Sequence, residues 1–503
     1  MLSISCEHPD LEEFIEIKSD LDRVTKANIS IRITDKFMAA VKNKQSFALN
    51  FTRKETGETI TKTVDAYEIF HKVCEMNWDY AEPGMLFWDR IENWNLLSCD
   101  DSFHYAGTNP CAEEPLPAGG SCLLGSINLS EFVTSEKTFD FEGFRDVVSI
   151  AVTALNDVLD EGLPLHPLQE QKDSVRDWRQ IGLGIMGLAD MLIKMDVTYG
   201  SPEAVHICDM IGHAMADEAI QTSTWLAAKD GSYPQYKHDA VTSSAFYTVN
   251  ALGETQRFVD TYGLRNSQLL TIAPTGTLST MLGISGGIEP IYANYYTRKT
   301  ESLHGHDEYY KVYTPIVQKY MTEHGLTDDS ELPKWFVTAQ TLDYHQRIDM
   351  QAIWQKHIDA SISSTVNVPN DFTVEQVEDL YMRAWEKGLK GVTIYRDGCK
   401  RSGILTTDST KNEESTAESS GTIGEWPIPA LSRGMIIKAD DNCIGKKRTL
   451  NTGCGTLHCQ AFFDPDTGDL LETYLSKGST GGCNNFMIGL SRMISLAARG
   501  GVD

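Results

Sequence analysis

From Thr406 to Glu425 the chain reads TTDSTKNEESTAESSGTIGE. Nine of these twenty residues are Ser or Thr, five are acidic, and only Ala417 and Ile423 are apolar. Such a run buries too little apolar surface to offset the entropy of ordering it, so it is expected to be a disordered linker. It divides the 503 residues into a large body (1–401), a linker (402–425) and a small cysteine-containing C-terminal module (426–503). The chain as a whole is 41% hydrophobic and 23% charged, a globular composition.

Acidic residues outnumber basic ones 71 to 44, a net charge of −27. Such a surface repels nucleic-acid phosphate and argues against general DNA or RNA binding. It leaves room for a local pocket that takes a small phosphorylated ligand. The start, Met1-Leu2-Ser3-Ile4-Ser5-Cys6, lacks the basic and apolar regions of a signal peptide. The most apolar helix-like run, Ile181 to Ile193, is too short to span a bilayer and reads as buried core. A soluble, cytoplasmic protein with no membrane partner is expected. The eleven cysteines are odd in number and form no CxxC pair, so neither a disulfide framework nor the strongest zinc signature is present. Cys443, Cys454, Cys459 and Cys483 are too irregularly spaced to assign a metal.

In the body, Val374, Val377, Leu380, Tyr381, Ala384, Trp385 and Leu389 recur at three and four, one face of a helix. Thr373 and Gln376 form a capping-box pattern at its start. Val392 to Tyr395 follows as a β-rich run. Val147 to Leu159 predicts another helix, and Leu269 to Ala273 a strand that stops at Pro274. Strands alternating with helices predict an α/β fold with parallel strands. In the small module, Gly455 to Phe463 and Leu470 to Leu475 read as strands, and about 485–498 as a helix, giving an α+β module.

The densest chemistry lies in Thr108-Asn109-Pro110-Cys111-Ala112-Glu113-Glu114, continuing to Ser121-Cys122. An amide, a thiol and a carboxylate occupy alternate positions, and an extended segment would point Asn109, Cys111 and Glu113 to one side. A thiol flanked this way suits redox or radical work better than acyl transfer, which wants a His beside the Cys. The plainer alternative is a turn with a buried cysteine. A second segment, Pro274-Thr275-Gly276-Thr277, carries a strand into a hydroxyl-rich turn and a helix start. It could seat a phosphate, or Thr275 could simply cap the helix. A third, Val392 to Gly398, ends a strand with Tyr395-Arg396-Asp397-Gly398, where α/β sites often lie.

Together these segments resemble the catalytic subunit of ribonucleotide reductase, in its class II, adenosylcobalamin-dependent form. The resemblance runs through Ser5 to Ile15, Lys26 to Ser30, Asn109 to Glu113 with Ser121-Cys122, Gly125 to Leu129, Ile181 to Gly187, Ala273 to Thr277, Gly287 to Pro290 and Gly388 to Gly398. It implies a ten-stranded α/β barrel whose central loop carries the radical cysteine. Cys111 would abstract the 3′ hydrogen of the substrate as a thiyl radical. Glu113 would be the base on the 3′ hydroxyl, and Asn109 would bond the sugar hydroxyls. Cys122 would be one of the two thiols that supply reducing electrons. Pro274, Thr275, Gly276 and Thr277 would cradle the substrate phosphates, and Lys18 and Arg23 would sit in a loop relaying the identity of a deoxynucleotide effector. Implied partners are a ribonucleoside di- or triphosphate, a dNTP effector, a thioredoxin-like reductant and a second copy in a homodimer. The strand Ile394-Tyr395 holds one tyrosine, where class I enzymes carry an adjacent pair that passes the radical; this favours class II.

The family's first barrel strands, with the other redox cysteine, precede the region matched by Ser5 to Ile15. This predicts a truncated sequence or the C-terminal half of a split enzyme, a barrel incomplete at its N-terminal side that needs a separate N-terminal portion. Two alternatives stand beside this reading: a class I large subunit, and a non-catalytic nucleotide-binding fragment of the same fold.

Overall fold

The computed structural model describes residues 1–20, 24, 27–301, 307–400, 444–452, 455–463 and 470–477. The chain divides into two units, Met1–Asn412 and Glu413–Asp503. The division falls within the Ser/Thr-rich run, whose residues lie outside those described, as do Arg23 and the helix expected near 485–498.

The strands of the first unit that build the site are, in chain order, β1 (Leu2–Ser5), β2 (Ile29–Ile33), β3 (Gly84–Phe87), β4 (Leu124–Asn128), β5 (Gly182–Met186), β6 (Thr365–Val368) and β7 (Gly391–Arg396). The principal helices are α1 (Ala66–Tyr80), α2 (Phe141–Gly162), α3 (Leu188–Lys194), α4 (Pro202–Asp230), α5 (Gly276–Leu282), α6 (Tyr344–Gln355) and α7 (Val374–Glu386).

Strands β1, β2 and β3 run parallel, with Leu2 beside Ile29 and Ser30 beside Gly84. β3 meets β7 antiparallel, Leu86 opposite Gly391, and β7 runs parallel to β6. β4 and β5 form a separate parallel pair. The extended run Leu269–Ala273 joins the two groups. It bridges Leu183 of β5 through Leu270, and Ile362, just before β6, through Ile272. The Thr271 N–H donates to the Leu183 carbonyl at 3.1 Å, and the Ser363 N–H to the Ile272 carbonyl at 2.8 Å. Eight extended segments therefore make one continuous ladder, ordered β1-β2-β3-β7-β6-(269–273)-β5-β4. The expectation is a ten-stranded barrel lacking its first strands; the ladder has eight extended segments and is not closed among the described residues. Closure needs every edge N–H and C=O paired, and β1 and β4 remain end strands among the described residues.

Helices pack behind the ladder over two apolar cores. One joins Ile31, Met85, Val392 and Ile394 of the strands to Phe70 and Val73 of α1 and Val377, Leu380 and Tyr381 of α7. The other joins Ile127, Leu183, Ile185 and Ile272 to Val148 and Val152 of α2 and Ile211 and Met215 of α4. The capping box at Thr373 and Gln376 forms as expected. Helix α2 begins six residues earlier than its apolar periodicity suggests, because Asp140 accepts from the Gly143 N–H at 3.1 Å and starts the first turn. The run Ile181–Ile193 is buried but is not one helix. Gly187, at φ 69°, turns the chain from β5 directly into α3.

The second unit contains a three-stranded antiparallel sheet, β8 (Ile444–Thr452), β9 (Gly455–Phe463) and β10 (Leu470–Lys477), with β9 central. No helix among the described residues is long and apolar enough to cross a membrane, and no group of three or more His, Cys, Asp or Glu there could hold a metal ion.

Candidate active site

Residues 109–113 are not extended. The Ala112 N–H donates to the Asn109 carbonyl at 3.1 Å, and Ala112 takes φ 66°, so the segment is a tight turn. The turn does by curvature what alternation was expected to do. The Asn109 side-chain oxygen accepts from the Glu114 N–H at 3.1 Å, and its amide lies near enough to the Glu113 carboxyl to favour the charged form. Cys111 sits at the tip with its thiol exposed, not buried.

The turn is pinned to the ladder by its backbone. The Glu113 carbonyl accepts from the Thr271 hydroxyl at 2.6 Å and from the Ser361 N–H at 3.0 Å. Glu114 points into the wall, where its Oε2 accepts from Gln268 Nε2 at 2.9 Å, and Gln180 in turn donates to Gln268. This approach requires glycine at 182, since a Cβ there would stand 2.3 Å from Glu114 Oε1 and 2.5 Å from a Thr271 methyl.

Cys111 opens on a cleft lined by Asn28, Ser30, Glu82, Ser364 and Thr393 together with Met1, Met85, Ile362 and Val392. Its strand residues, Ser30, Met85, Val392 and Thr393 among them, all belong to the β1-β2-β3-β7-β6 group. A larger apolar cavity of about 300 Å³ lies elsewhere, between α2 and the loop ending at Ser121; it reaches this region only through the residues flanking Cys122.

Electrostatics separate the acids and thiols. Burial raises the Glu113 carboxyl above its ordinary range, and the Asn109 amide partly opposes that. Glu114 is raised well above, by burial first and then by the neighbouring Glu113 charge. Both carry one buried oxygen with no hydrogen-bond partner. Cys122 keeps solvent-accessible surface, yet the protein atoms packed around it, with Glu114 and Glu113, push its thiol up to about 12. Burial followed by Glu113 also raises the Cys111 thiol. Both sulfurs are therefore protonated thiols at neutral pH.

Glu114 yields a stability prediction. The folded state holds its proton while the unfolded state releases it near pH 4.3. Its contribution is thus complete below about pH 4 and shrinks as pH rises, by about 1.4 kcal/mol per unit. Glu114→Gln, which keeps an oxygen for Gln268, is expected to flatten this slope, so that the variant gains on the parent between about pH 5 and pH 6, just above the unfolded value. Urea unfolding at both pH values checks this. Parallel slopes would mean that Glu114 is ionised when folded.

Of the phosphate-turn residues, Thr275 lies at φ 51° just before α5 and does not cap it. Its hydroxyl instead accepts from the Gly287 N–H at 2.9 Å, so the expected alternative of a simple N-cap is overturned by a tertiary bond. Pro274, Thr275, Gly276 and Thr277 end the run Leu269–Ala273, whose Thr271 pins the cysteine turn. Lys18 pairs with Glu82, which lines the Cys111 cleft, and donates to the Ala27 carbonyl at 2.5 Å. Tyr395 lies half-buried in β7, two residues beyond the cleft residue Thr393. Four partners were not singled out from sequence as site residues: Glu114, Thr271, Gln268 and Ser361. Only the doubled acid Glu113-Glu114 beside three prolines hinted at one of them.

A family model described as ribonucleotide reductase, barrel domain, matches residues 1–395. The chain is 34% identical over 426 residues to a vitamin B12-dependent ribonucleoside-diphosphate reductase of Thermoplasma acidophilum, covering 81% of this chain and 52% of that protein. It is 30% identical over 431 residues to a like-named protein of Mycobacterium tuberculosis, covering 82% and 58%. Across its whole length it is 27% identical to a vitamin B12-dependent ribonucleotide reductase of Rhodopirellula baltica, covering 54% of that protein. The chain spans about half the length of these curated relatives. Since the barrel-domain match takes in the cysteine turn, the ladder and the Pro274–Thr277 turn together, the chain belongs to the ribonucleotide reductase family.

Proposed function

We propose that the chain carries the catalytic site of an adenosylcobalamin-dependent ribonucleotide reductase. The observation that carries this reading is the exposed Cys111 thiol on a turn anchored to the ladder at Glu113, with Asn109 and the Glu113 carboxyl held beside it. An exposed sulfur stands among Asn28, Ser30, Ser364 and Thr393, a polar lining suited to a polar cofactor and substrate, and the cleft volume of about 60 Å³ admits only the part of a ligand nearest the thiol. Asn28, Ser30 and Thr393 would meet the part of a cobalamin nearest Cys111, and the bound cofactor would supply the radical there.

The chain's own residues do the rest. Cys111 takes the 3′ hydrogen of the ribose. Glu113, raised above the ordinary carboxylate range, accepts the 3′-hydroxyl proton, and the 2′-hydroxyl leaves as water with a proton from the Cys122 thiol. Asn109 orients both the carboxylate and the sugar. Cys122 gives one of the two reducing thiols, which a thioredoxin-like reductant restores. Pro274 to Thr277 take the phosphates. Lys18 and Arg23 belong to the effector-relay loop, with Lys18 anchored at the cleft through Glu82. The two unpaired ladder edges support a further element: an N-terminal portion supplied by the same or a separate polypeptide, with a dNTP effector and a second copy completing the assembly.

Ribonucleoside diphosphate, adenosylcobalamin and a dithiol are expected to yield the 2′-deoxynucleotide, with no separate radical-generating subunit. Product that forms only with such a subunit would point to the class I alternative. Turnover by this chain alone would remove the need for an N-terminal portion. Glu113→Gln is expected to lower kcat by about 10²–10⁴-fold, the usual worth of a positioned base. In the parent the acid limb of the kcat profile should lie above the ordinary carboxylate range. An unchanged profile in Glu113→Gln would assign the base elsewhere.

A further inference from the structure

The loop Ser285–Glu289 lies behind the phosphate turn and ties strand ends together. The Ser285 N–H donates to Asp190 Oδ2 at 2.7 Å, and the Ser285 carbonyl accepts from the Gly187 N–H at 2.8 Å. The Tyr199 hydroxyl donates to the Ile288 carbonyl at 2.6 Å. The Gly287 N–H reaches Thr275 Oγ1. Side chains are excluded at the contact itself. A Cβ on Gly286 would stand 2.8 Å from the Pro274 carbonyl oxygen, and one on Gly287 would stand 2.7 Å from that of Ala273. The turn therefore rests directly on this loop's backbone.

The same loop reaches the Cys111 cleft. Glu289 Oε1 accepts from the Thr365 N–H at 2.9 Å. The preceding residue, Ser364, lines the cleft, and its carbonyl accepts from the N–H of Thr393, another cleft residue, at 2.9 Å. From outside the ladder, Arg347 of α6 donates through Nη2 to the Ser364 hydroxyl at 2.7 Å. Arg347 is only 3% exposed, and its Nε and Nη1 have no hydrogen-bond partner among the described residues. Its charge acts on the half-buried Glu289 carboxyl, opposing the rise that burial causes. A buried guanidinium satisfied at one nitrogen is costly if its role is stability alone. Adjacent residues, Ser364 and Thr365, are thus gripped by a buried cation and a half-buried carboxylate. One grip faces the reacting sulfur and the other leads to the phosphate turn.

We propose that Glu289 and Arg347 are a pair of positioning residues that set the spacing between the phosphate turn at Pro274–Thr277 and the Cys111 cleft, and so place the ribose against the thiol once the phosphates are seated. This rests on the phosphate reading of that turn. Neither residue touches substrate; they act through Thr365, Ser364 and the Gly287–Thr275 contact. A small misplacement of a reacting carbon costs rate far more than affinity.

The test uses the holoenzyme, with inorganic pyrophosphate as competitor against ribonucleoside diphosphate. Glu289→Ala and Arg347→Met are each expected to lower kcat about 10²-fold while the pyrophosphate inhibition constant stays within about threefold. Glu289→Gln, which keeps an acceptor for Thr365, and Arg347→Lys should recover most of the rate. The double variant Glu289→Ala/Arg347→Met should be no worse than either single, because the two act as a unit. If Arg347→Met does not fold, Ser364→Ala removes the same contact and takes its place. An unchanged kcat overturns the proposal, as does a kcat loss matched by an equal loss of pyrophosphate binding. Failure of pyrophosphate to compete in the parent enzyme would instead overturn the phosphate reading.

Discussion

Cys111→Ser is expected to abolish turnover, by on the order of 10⁴-fold or more, while leaving nucleotide and cobalamin binding intact. The substitution changes one exposed atom at the tip of the turn. The contacts that hold the turn use other groups: the Glu113 carbonyl with Thr271 and Ser361, and the Asn109 side chain with the Glu114 N–H. Folding should therefore move by no more than about 0.5 kcal/mol. The chemistry changes completely, because an alcohol O–H bond is much stronger than a thiol S–H bond and serine cannot carry the radical. The measurement is deoxynucleotide formation beside nucleotide affinity for the same preparation. Turnover within tenfold of the parent would remove Cys111 from the mechanism. Loss of turnover together with loss of nucleotide binding would mean that the turn had collapsed.

Lys390→Met is expected to cost about 3–5 kcal/mol of stability, because buried hydrogen bonds from a charged donor, worth about 1.5–3 kcal/mol each, are lost. Lys390 is fully buried at the start of β7. Its ammonium donates to the carbonyls of Trp94 and Asp359 at 2.6 Å each, and also to that of Ala360. All three N–H bonds are used, which only the protonated form can do. Burial pulls the ammonium's proton affinity down, and the nearby Asp359 charge opposes this. Asp359 is equally buried, and its carboxylate accepts from the Leu269 and Leu270 N–H groups at 2.9 and 2.7 Å. Methionine fills the space but leaves the Trp94 and Asp359 carbonyls without a donor, the Ala360 carbonyl with only the 3.4 Å bond from Gln355 Nε2, and the buried Asp359 carboxylate without the nearby positive charge. Urea unfolding of the full chain should show the loss. Adding Asp359→Asn should return part of it, because the uncompensated charge is gone. A loss under about 1 kcal/mol would mean that the pair is not charged when folded. Since Ser361, two residues past Asp359, donates to Glu113, the variant should also loosen the cysteine turn.

Local patterns in the chain were sufficient for features whose causes lie within a few residues. Helix α7 follows from its apolar spacing and the Thr373/Gln376 box. β7 follows from its β-branched run before Tyr395-Arg396-Asp397-Gly398. The Asn109-to-Cys122 segment could be read as chemical from its residue types alone, and the order of several motifs pointed to the family that the barrel-domain match shows. Tertiary structure decided the rest. Glu114 is a buried acid because Gln268, 154 positions away, meets it. Glu113 is placed by Thr271, 158 positions away, and Lys390 by Trp94, 296 positions away. The Thr275 hydroxyl looked free to cap a helix until Gly287 claimed it. Propensity, capping and turn preference act over a handful of residues and are written in adjacent letters. Burial, charge pairing and the aim of a side chain depend on which distant strands become neighbours, and only the folded ladder sets that.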